Sequence, residues 1–425
     1  MDKPGGAEAG AAAAAGPLAG IRVLDLTSVV MGPLATAILG DLGADVITIE
    51  SRDGDINRTM SRGPVRGLSG VSLNLLRNKR NVAIDLARPD GQAAVRAIAA
   101  RCDVFVTNLR PGSLQRAGLG YDDIAAARPD VIYCLANGFP SDGPDAGKPA
   151  FDDVIQAASA VPDVMSLAGL PAALAPMLLA DKVCGLVLAY AILAALFHRE
   201  RTGQGQRVEV PMSDAMRAFV LAEHGGSAIS RSGPPGYPRI MTPLRAAAQT
   251  ADGGWIALQP HRTEQWDALV RAAGLDDLAG DQRLTNRSLW REPGFGYTVL
   301  GRVLATGTTA QWLAFCAEHG IPAAQAATLD ELIEALPEHE HPLAGRYRVI
   351  PPPVRFARSP ASIRRPAPLA GQHTVEVLAE AGLPADQIAE LIADGVASLP
   401  AQAGESRDRP AAGGGSAGGE PGTLS

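Results

Sequence analysis

Cysteine is scarce in this chain of 425 residues. Its four copies, Cys102, Cys134, Cys184 and Cys316, are widely spaced and form no CxxC pair. That argues against a disulfide framework and a thiolate zinc site, and it fits a reducing cytoplasm. Cys102, Cys134 and Cys184 lie in or beside apolar runs, where a free thiol behaves as a small hydrophobe. Positive charge is also in deficit, with 38 Lys and Arg against 45 Asp and Glu for a formal net charge of −7. A nucleic-acid partner would call for a basic surface, so none is expected. Any anionic ligand must be held by local basic islands. No GxGxxG opens the first strand–helix unit, which disfavours a nicotinamide dehydrogenase. No GxSxG elbow is present either.

Long apolar runs are missing as well. Residues 183–197 are all apolar, small or Tyr190, but the run is short of the roughly 20 residues a membrane span needs. Asp181 and Lys182 bound it on one side, and His198, Arg199, Glu200 and Arg201 on the other. It reads as a buried core helix, and no membrane partner is expected. Residues 1–16 are Ala/Gly-rich and lack an apolar h-region, so no secretory signal is expected. His339-Glu340-His341 is not the helical HExxH spacing and prolines flank it, so a solvated loop is expected and no metal.

What is abundant is glycine (47), proline (33) and hydrophobic residues (46%), while aromatics are only 4%. That balance implies a soluble α/β protein with many tight connections, too large for one small core. Residues 1–16 and 401–425 are low in complexity and predict disordered tails. Between them strands and helices alternate. Residues 21–26 (IRVLDL), 45–50 (DVITIE), 81–86 (NVAIDL), 103–107 (DVFVT) and 131–135 (VIYCL) read as strands. Helices are expected over 33–42, 89–101, 152–160, 182–199 and 213–224, with a further strand over 207–210. Residues 202–206 (TGQGQ) read as the turn into that strand. Such alternation predicts a doubly wound parallel sheet in a large domain, 17–224, with ligands beyond the carboxyl ends of the strands. The Gly/Pro-rich stretch 225–245 reads as a linker. A smaller α/β domain is expected over 246–346, with a strand at 255–258 and a helix at 263–273. Residues 347–400 are then expected to return to the large domain, with helices over 373–381 and 385–394.

Three features could carry chemistry. A basic island, Arg77-Asn78-Lys79-Arg80, precedes the third strand, and Asn108-Leu109-Arg110-Pro111-Gly112 follows the fourth, with Arg116 beyond it. Arginine and lysine there suit phosphate, but position alone leaves a solvated strand end equally open. Asp181 shares the stretch 174–197 with only one other charged residue, Lys182. A carboxylate there must be paired, capping or functional. Periodicity alone favours an N-cap, which is compatible with a nucleophile. Phe151-Asp152-Asp153 precedes an apolar helix and reads first as capping, with an acid–base pair as the alternative.

These residues together resemble the class III CoA-transferase family (CaiB/BaiF type), which includes formyl-CoA transferase, carnitine CoA-transferase and α-methylacyl-CoA racemase. The matching runs are 18–26 (LAGIRVLDL), Gly32-Pro33, 42–50 (LGADVITIE), 78–80 (NKR), 108–112 (NLRPG), 148–152 (KPAFD), 179–181 (LAD), 201–206 (RTGQGQ), 320–322 (GIP) and 365–368 (RPAP). The resemblance implies that Asp181 is the catalytic aspartate. It places Val29, Val30, Met31, Arg52, Lys79, Asn108, Leu109 and Arg116 along the CoA nucleotide and pantetheine, with Phe151 and Asp152 also at the site. It implies an interlinked, ring-like homodimer acting on an acyl-CoA and a carboxylic acid, with no permanently bound cofactor. Chemically, an aspartate can attack a thioester to give a mixed anhydride and then an aspartyl-CoA thioester. An acyl-CoA racemase is the first alternative. It needs two acid–base groups, and the family's His-Asp pair is Phe151-Asp152 here, with His224 as a substitute. An inactive CoA-binding paralogue is the second. The chain departs from the family pattern at Thr48, Ser51 and Ala160.

Overall fold

The computed structural model describes residues 16–285 and 292–401, so the two tail readings lie outside the described residues except for Gly16 and Ala401. Strands β1 (Arg22–Leu26), β2 (Asp45–Glu50), β3 (Lys79–Ile84), β4 (Val104–Thr107), β5 (Ile132–Leu135) and β6 (Gln206–Glu209) pair in parallel. Strands β7 (Ala248–Gln249), β8 (Trp255–Leu258) and β9 (Ala323–Gln325) form a separate antiparallel sheet. Strands β10 (Glu338–His341) and β11 (Gly345–Arg348) form a hairpin. The last strand, β12 (Ala397–Ser398), joins the large sheet antiparallel to β3.

The large sheet has the order β12-β3-β2-β1-β4-β5-β6. The chain winds outward from β1 in one direction, then returns and winds from β4 in the other. The switch point is therefore the crevice between the loops that follow β1 and β4, where open α/β sheets bind ligands.

Side chains alternate between the two faces of this sheet, and each face is covered by helices. Val23, Val46, Val104, Val106, Ile132 and Cys134 face α1 (Met31–Asp41), α8 (Leu179–Thr202) and α9 (Met212–His224). Leu24, Ile47, Ile49, Val82, Phe105 and Tyr133 face α3 (Pro89–Ala99), α15 (Thr374–Glu380) and α16 (Ala385–Ala393). Phe105 and Tyr133 stack across β4 and β5 with ring centroids 4.9 Å apart. Each such fully buried large side chain contributes roughly 1.5–3 kcal/mol. Short helices α2 (Gly70–Leu75), α4 (Pro111–Arg116), α5 (Tyr121–Ala127), α6 (Asp152–Ala158) and α7 (Val161–Leu167) fill the connections.

Some boundaries differ from expectation. The third strand starts at Lys79, not residue 81, because Lys79 pairs with the buried Asp25 and Arg80 with the partly exposed Asp45, Glu376 and Glu380. Helix α8 runs for 24 residues, longer than its apolar run, and ends at Gly203 in the left-handed conformation (φ 71°). By length and composition it could cross a membrane, yet half of its most apolar window is buried in the protein. It packs as a core helix, burying Cys184, Leu188, Ile192 and Leu196.

The stretch expected to be a linker contains α10 (Gly226–Ile229) and a short 3-10 turn at Pro238–Ile240. The small unit packs sheet β7-β8-β9 with α11 (Thr263–Ala272), α12 (Pro293–Leu304) and α13 (Thr309–Glu318) around Trp266, Leu269 and Val303. Helix α14 (Leu329–Glu334) follows. His339-Glu340-His341 is not a solvated loop but most of strand β10. Pairing with β11 places both histidine rings against Tyr347. His341 is 2% exposed, accepting at Nδ1 from the Leu343 and Ala344 amides and bonding through Nε2 to the Ala367 carbonyl. The hairpin also sits with the large unit, because Ala344 and Tyr347 pack on Leu68, Leu73 and Leu76.

Candidate active site

The loop after β1 is built on a buried ion pair. Asp25 and Lys79 are both fully buried, and Lys79 Nζ lies 3.0 Å from Asp25 Oδ2. The same ammonium donates to the Pro33 carbonyl (3.0 Å) and Thr36 Oγ1 (2.8 Å), so its three protons are spent. Asp25 in turn accepts from the Thr27 amide at 3.0 Å and from the Thr36 hydroxyl at 2.6 Å. Lys79 therefore does not face a ligand, which corrects its assignment to CoA. It fixes the turn from β1 into α1 from below.

The rest of the basic island is spent in the same way. Arg77 pairs with Asp41 at 2.7 Å, and Arg80 with Asp45, Glu376 and Glu380 at 2.6, 2.9 and 2.8 Å. Asn78 donates to Asp41 and to the Ser362 carbonyl. Burial without partners would cost several kcal/mol per charge, so these acids are what allow the strand to begin in basic residues.

The loop that Lys79 supports is tightly held. Val29 takes φ 71°, a costly conformation for a β-branched residue, and its amide donates to the Asp55 carboxylate. Burial pushes the Asp55 carboxyl above its usual range. Val30 is the residue before α1, and Met31 opens the helix, both buried. A Cβ on Gly32 would lie 2.2 Å from Thr27 Cβ, so only glycine allows this turn. Across the switch point, the Asn108 side chain accepts from the Ser28 amide (3.1 Å) and donates to its carbonyl (3.0 Å). Leu109 follows, its amide bonded to Thr107 Oγ1. The loops after β1 and β4 are thus clasped into one rim.

Arg52, Arg110 and Arg116, near the strand ends, have no carboxylate partner among the described residues. Arg116, on α4, bonds only to Ser113 Oγ at 3.1 Å. Arg52, just after β2, is exposed and lies beside Gly395. They are available for anions, which the buried island is not.

Asp181 is not the N-cap that periodicity suggested. The cap residue is Leu178, which offers no side-chain acceptor, and Asp181 is third in α8. Its own amide, one of the orphan donors of the helix start, is accepted by Asp152 Oδ1 at 2.9 Å. Asp152 opens α6 and is buried, and its Oδ2 accepts from Gln156 Nε2 at 2.5 Å. Gln156 also bonds the Ala175 amide (2.9 Å) and the Met177 carbonyl (3.2 Å). Asp152 and Gln156 therefore anchor both the start of α8 and the strand of loop that leads into it. Phe151, beside Asp152, is 65% exposed.

Asp181 as a residue is only 7% exposed, and its carboxylate has no ion-pair or hydrogen-bond partner among the described residues. Burial, with a further contribution from the Asp152 charge, pushes its pKa up to about 6. It remains mostly ionised at neutral pH but is far more basic than a solvated aspartate. One turn along α8, a Cβ on Gly185 would sit 2.8 Å from the Met31 carbonyl oxygen. This close approach brings the start of α8 up to the β1 rim. Asp181 and Asp152 are in this way brought together with the turn that carries Val29, Val30 and Met31. Gln156 and Gly185 were not singled out from the sequence. Gly185 did leave a signal, as the one glycine inside the apolar run 183–197.

A doubly wound α/β protein with an uncompensated, buried carboxylate at the rim of its switch point is the class that fold and site define. The chain belongs to CoA-transferase family III, whose model matches residues 18–374. It is 32% identical over 382 residues to succinyl-CoA:glutarate CoA-transferase of Mus musculus, covering 86% of each chain. It is likewise 32% identical to a protein of Mycobacterium tuberculosis named a probable fatty acyl-CoA transferase, covering 85% of this chain and 98% of that one. Among solved structures, a CaiB/BaiF family protein from Brucella suis superposes with a TM-score of 0.74 at 26% identity, covering 86% of this chain and all of that one.

Proposed function

We propose that this protein transfers CoA from an acyl-CoA donor to a carboxylic acid through Asp181. The observation that carries the reading is the buried Asp181 carboxylate, unpaired and with its pKa raised to about 6. Such a group is both ionised and nucleophilic at neutral pH. In the proposed sequence, an Asp181 oxygen attacks the thioester carbonyl and CoA leaves as thiolate, giving a mixed anhydride. The thiolate then attacks the aspartyl carbonyl of the anhydride, releasing the donor acid and leaving an aspartyl-CoA thioester. The acceptor carboxylate attacks that thioester and expels CoA thiolate, giving a second anhydride, and the thiolate attacks the acceptor's acyl carbon, forming the new acyl-CoA and releasing the Asp181 carboxylate. These intermediates hydrolyse if water enters, which suits a residue placed in a mostly buried position.

CoA and acyl-CoA act here as substrates, lying along Val29, Val30, Met31, Asn108 and Leu109, with phosphates met by Arg52 and Arg116. We further propose an interlinked homodimer acting in the cytoplasm. Leu186, Tyr190 and Phe197 are 57, 62 and 63% exposed along one face of α8, an apolar stripe that a second copy would cover. All four cysteines are free and buried, as a reducing compartment permits.

The test is intact-protein mass spectrometry in D2O with a panel of acyl-CoAs, comparing wild type with Asp181→Asn. Succinyl-CoA with glutarate leads the panel, because the mouse relative is named for that pair. An adduct on the wild type that the variant lacks supports the transferase. Deuterium in the recovered acyl-CoA without an adduct moves the chain to racemase chemistry through Asp152 and His224. Binding with neither marks an inactive paralogue.

A further inference from the structure

The sheet of the small unit carries little bulk. Ala257 of β8 stands opposite Ala324 of β9, and Ala248 of β7 opposite Ile256. Ala257 and Ala324 lie on the exposed face of the sheet and Ala248 on the face towards α12, and an open cleft of about 730 Å³ runs beside all three. That is the size of a small-molecule site. Its walls mix apolar and polar surface, and none of its lining residues belongs to α6 or α8, which carry Asp152 and Asp181.

Two cations line the same space, Arg239 and Arg245. Arg239 lies against the neutral side-chain amide of Gln259. Neither arginine has a carboxylate within ion-pair distance among the described residues, although other arginines of the small unit, Arg271 and Arg283, do. Trp266, also lining the cavity, keeps a buried indole N–H with no acceptor. An open cleft with a partly apolar wall and two guanidiniums lacking a carboxylate partner among the described residues is complementary to one anionic head on an apolar body. Guanidinium binds a carboxylate in a forked, two-bond geometry.

We propose that this cavity binds an organic acid, with its carboxylate on Arg239 and Arg245 and its tail against the alanine-lined sheet. The inference does not depend on the CoA-transfer reading, since no residue of that site takes part.

Isothermal titration of the full chain with sodium octanoate tests it, with 1-octanol and acetate as controls. Octanoate is expected to bind saturably, once per chain, and at least tenfold more tightly than either control. Arg239→Gln with Arg245→Gln should weaken octanoate about tenfold and leave octanol unchanged. Ala257→Phe, at an exposed position that leaves the fold intact, should abolish binding of both. Asp181→Asn should retain full octanoate affinity even though it stops any transfer. No saturable octanoate binding, an affinity that Ala257→Phe does not change, or one lost in Asp181→Asn would each overturn the proposal.

Discussion

Lys79 and Asp181 are both buried charges that converge on the first turn of α1, and they are treated in opposite ways. Lys79 bonds the Pro33 carbonyl from below, with an aspartate and a threonine taking its remaining protons. Asp181 stands in the first turn of a helix whose next turn touches the Met31 carbonyl, and no cation among the described residues matches its charge. Removing a charge from water costs several kcal/mol, and Lys79 recovers that cost in its partners. Asp181 does not recover it, so its cost appears as a raised pKa and a strained ionised state. The difference shows how to tell scaffold from chemistry in this molecule. Matched charge holds the rim, and unmatched charge is what a reaction can use.

The sharpest way to break this comparison is Asp181→Asn. Turnover is expected to fall by roughly 10⁴-fold or more, measured as CoA transfer in steady state. The same change should stabilise the protein. The folded pKa of about 6 lies above the ordinary 3.8 of the unfolded chain, so ionised Asp181 opposes folding at neutral pH. The gain should be about 2–3 kcal/mol above pH 6, shrink as pH falls through that value, and vanish below about pH 4. Denaturant titrations across this range would check it, and equal stability at all pH values would count against an unmatched carboxylate.

Lys79→Ala should do the reverse. Leaving Asp25 buried and unpaired is expected to cost about 3–5 kcal/mol of stability. Urea midpoints measure this directly. A normal midpoint with weakened CoA binding would instead restore Lys79 to a ligand-contacting role.

Asp152→Asn addresses the acidic neighbour. Removing its charge lowers the Asp181 pKa, so the acidic limb of the pH–rate profile, expected near pH 6, should move to lower pH, with turnover down about tenfold. A limb that stays in place would leave burial as the whole cause of the shift.

Arg52→Ala and Arg116→Ala should give the smallest effects. Each is expected to raise KM for acyl-CoA by about five- to tenfold, more at low salt, with stability changed by under about 0.5 kcal/mol. Kinetics at two ionic strengths would show whether these exposed cations meet phosphate.

Much of this was legible in the sequence for identifiable reasons. Strand 255–258 is a short apolar run bounded by Gly254 and Gln259, and strand 45–50 is a β-branched run bounded by its own acids Asp45 and Glu50. Asp181 stood out because a lone acid in an apolar stretch has few bland explanations. Other parts were not legible, because their meaning lies in residues far along the chain. Strand β3 began two residues early, since Lys79 and Arg80 find acids at 25, 45, 376 and 380. The histidines of β10 looked solvated because their partners, Tyr347 and Ala367, come later.

By itself, then, the sequence determined the order of the main strands and helices, the family, and the presence of one lone carboxylate, Asp181, in an apolar stretch. Those are set by local periodicity and residue chemistry, which act over a few positions. Only the tertiary structure decided which charges are neutralised, because pairing depends on a few ångströms between residues up to 300 positions apart. That is why one basic island turned out to be scaffold, and why Asp181 is left without a cation among the described residues.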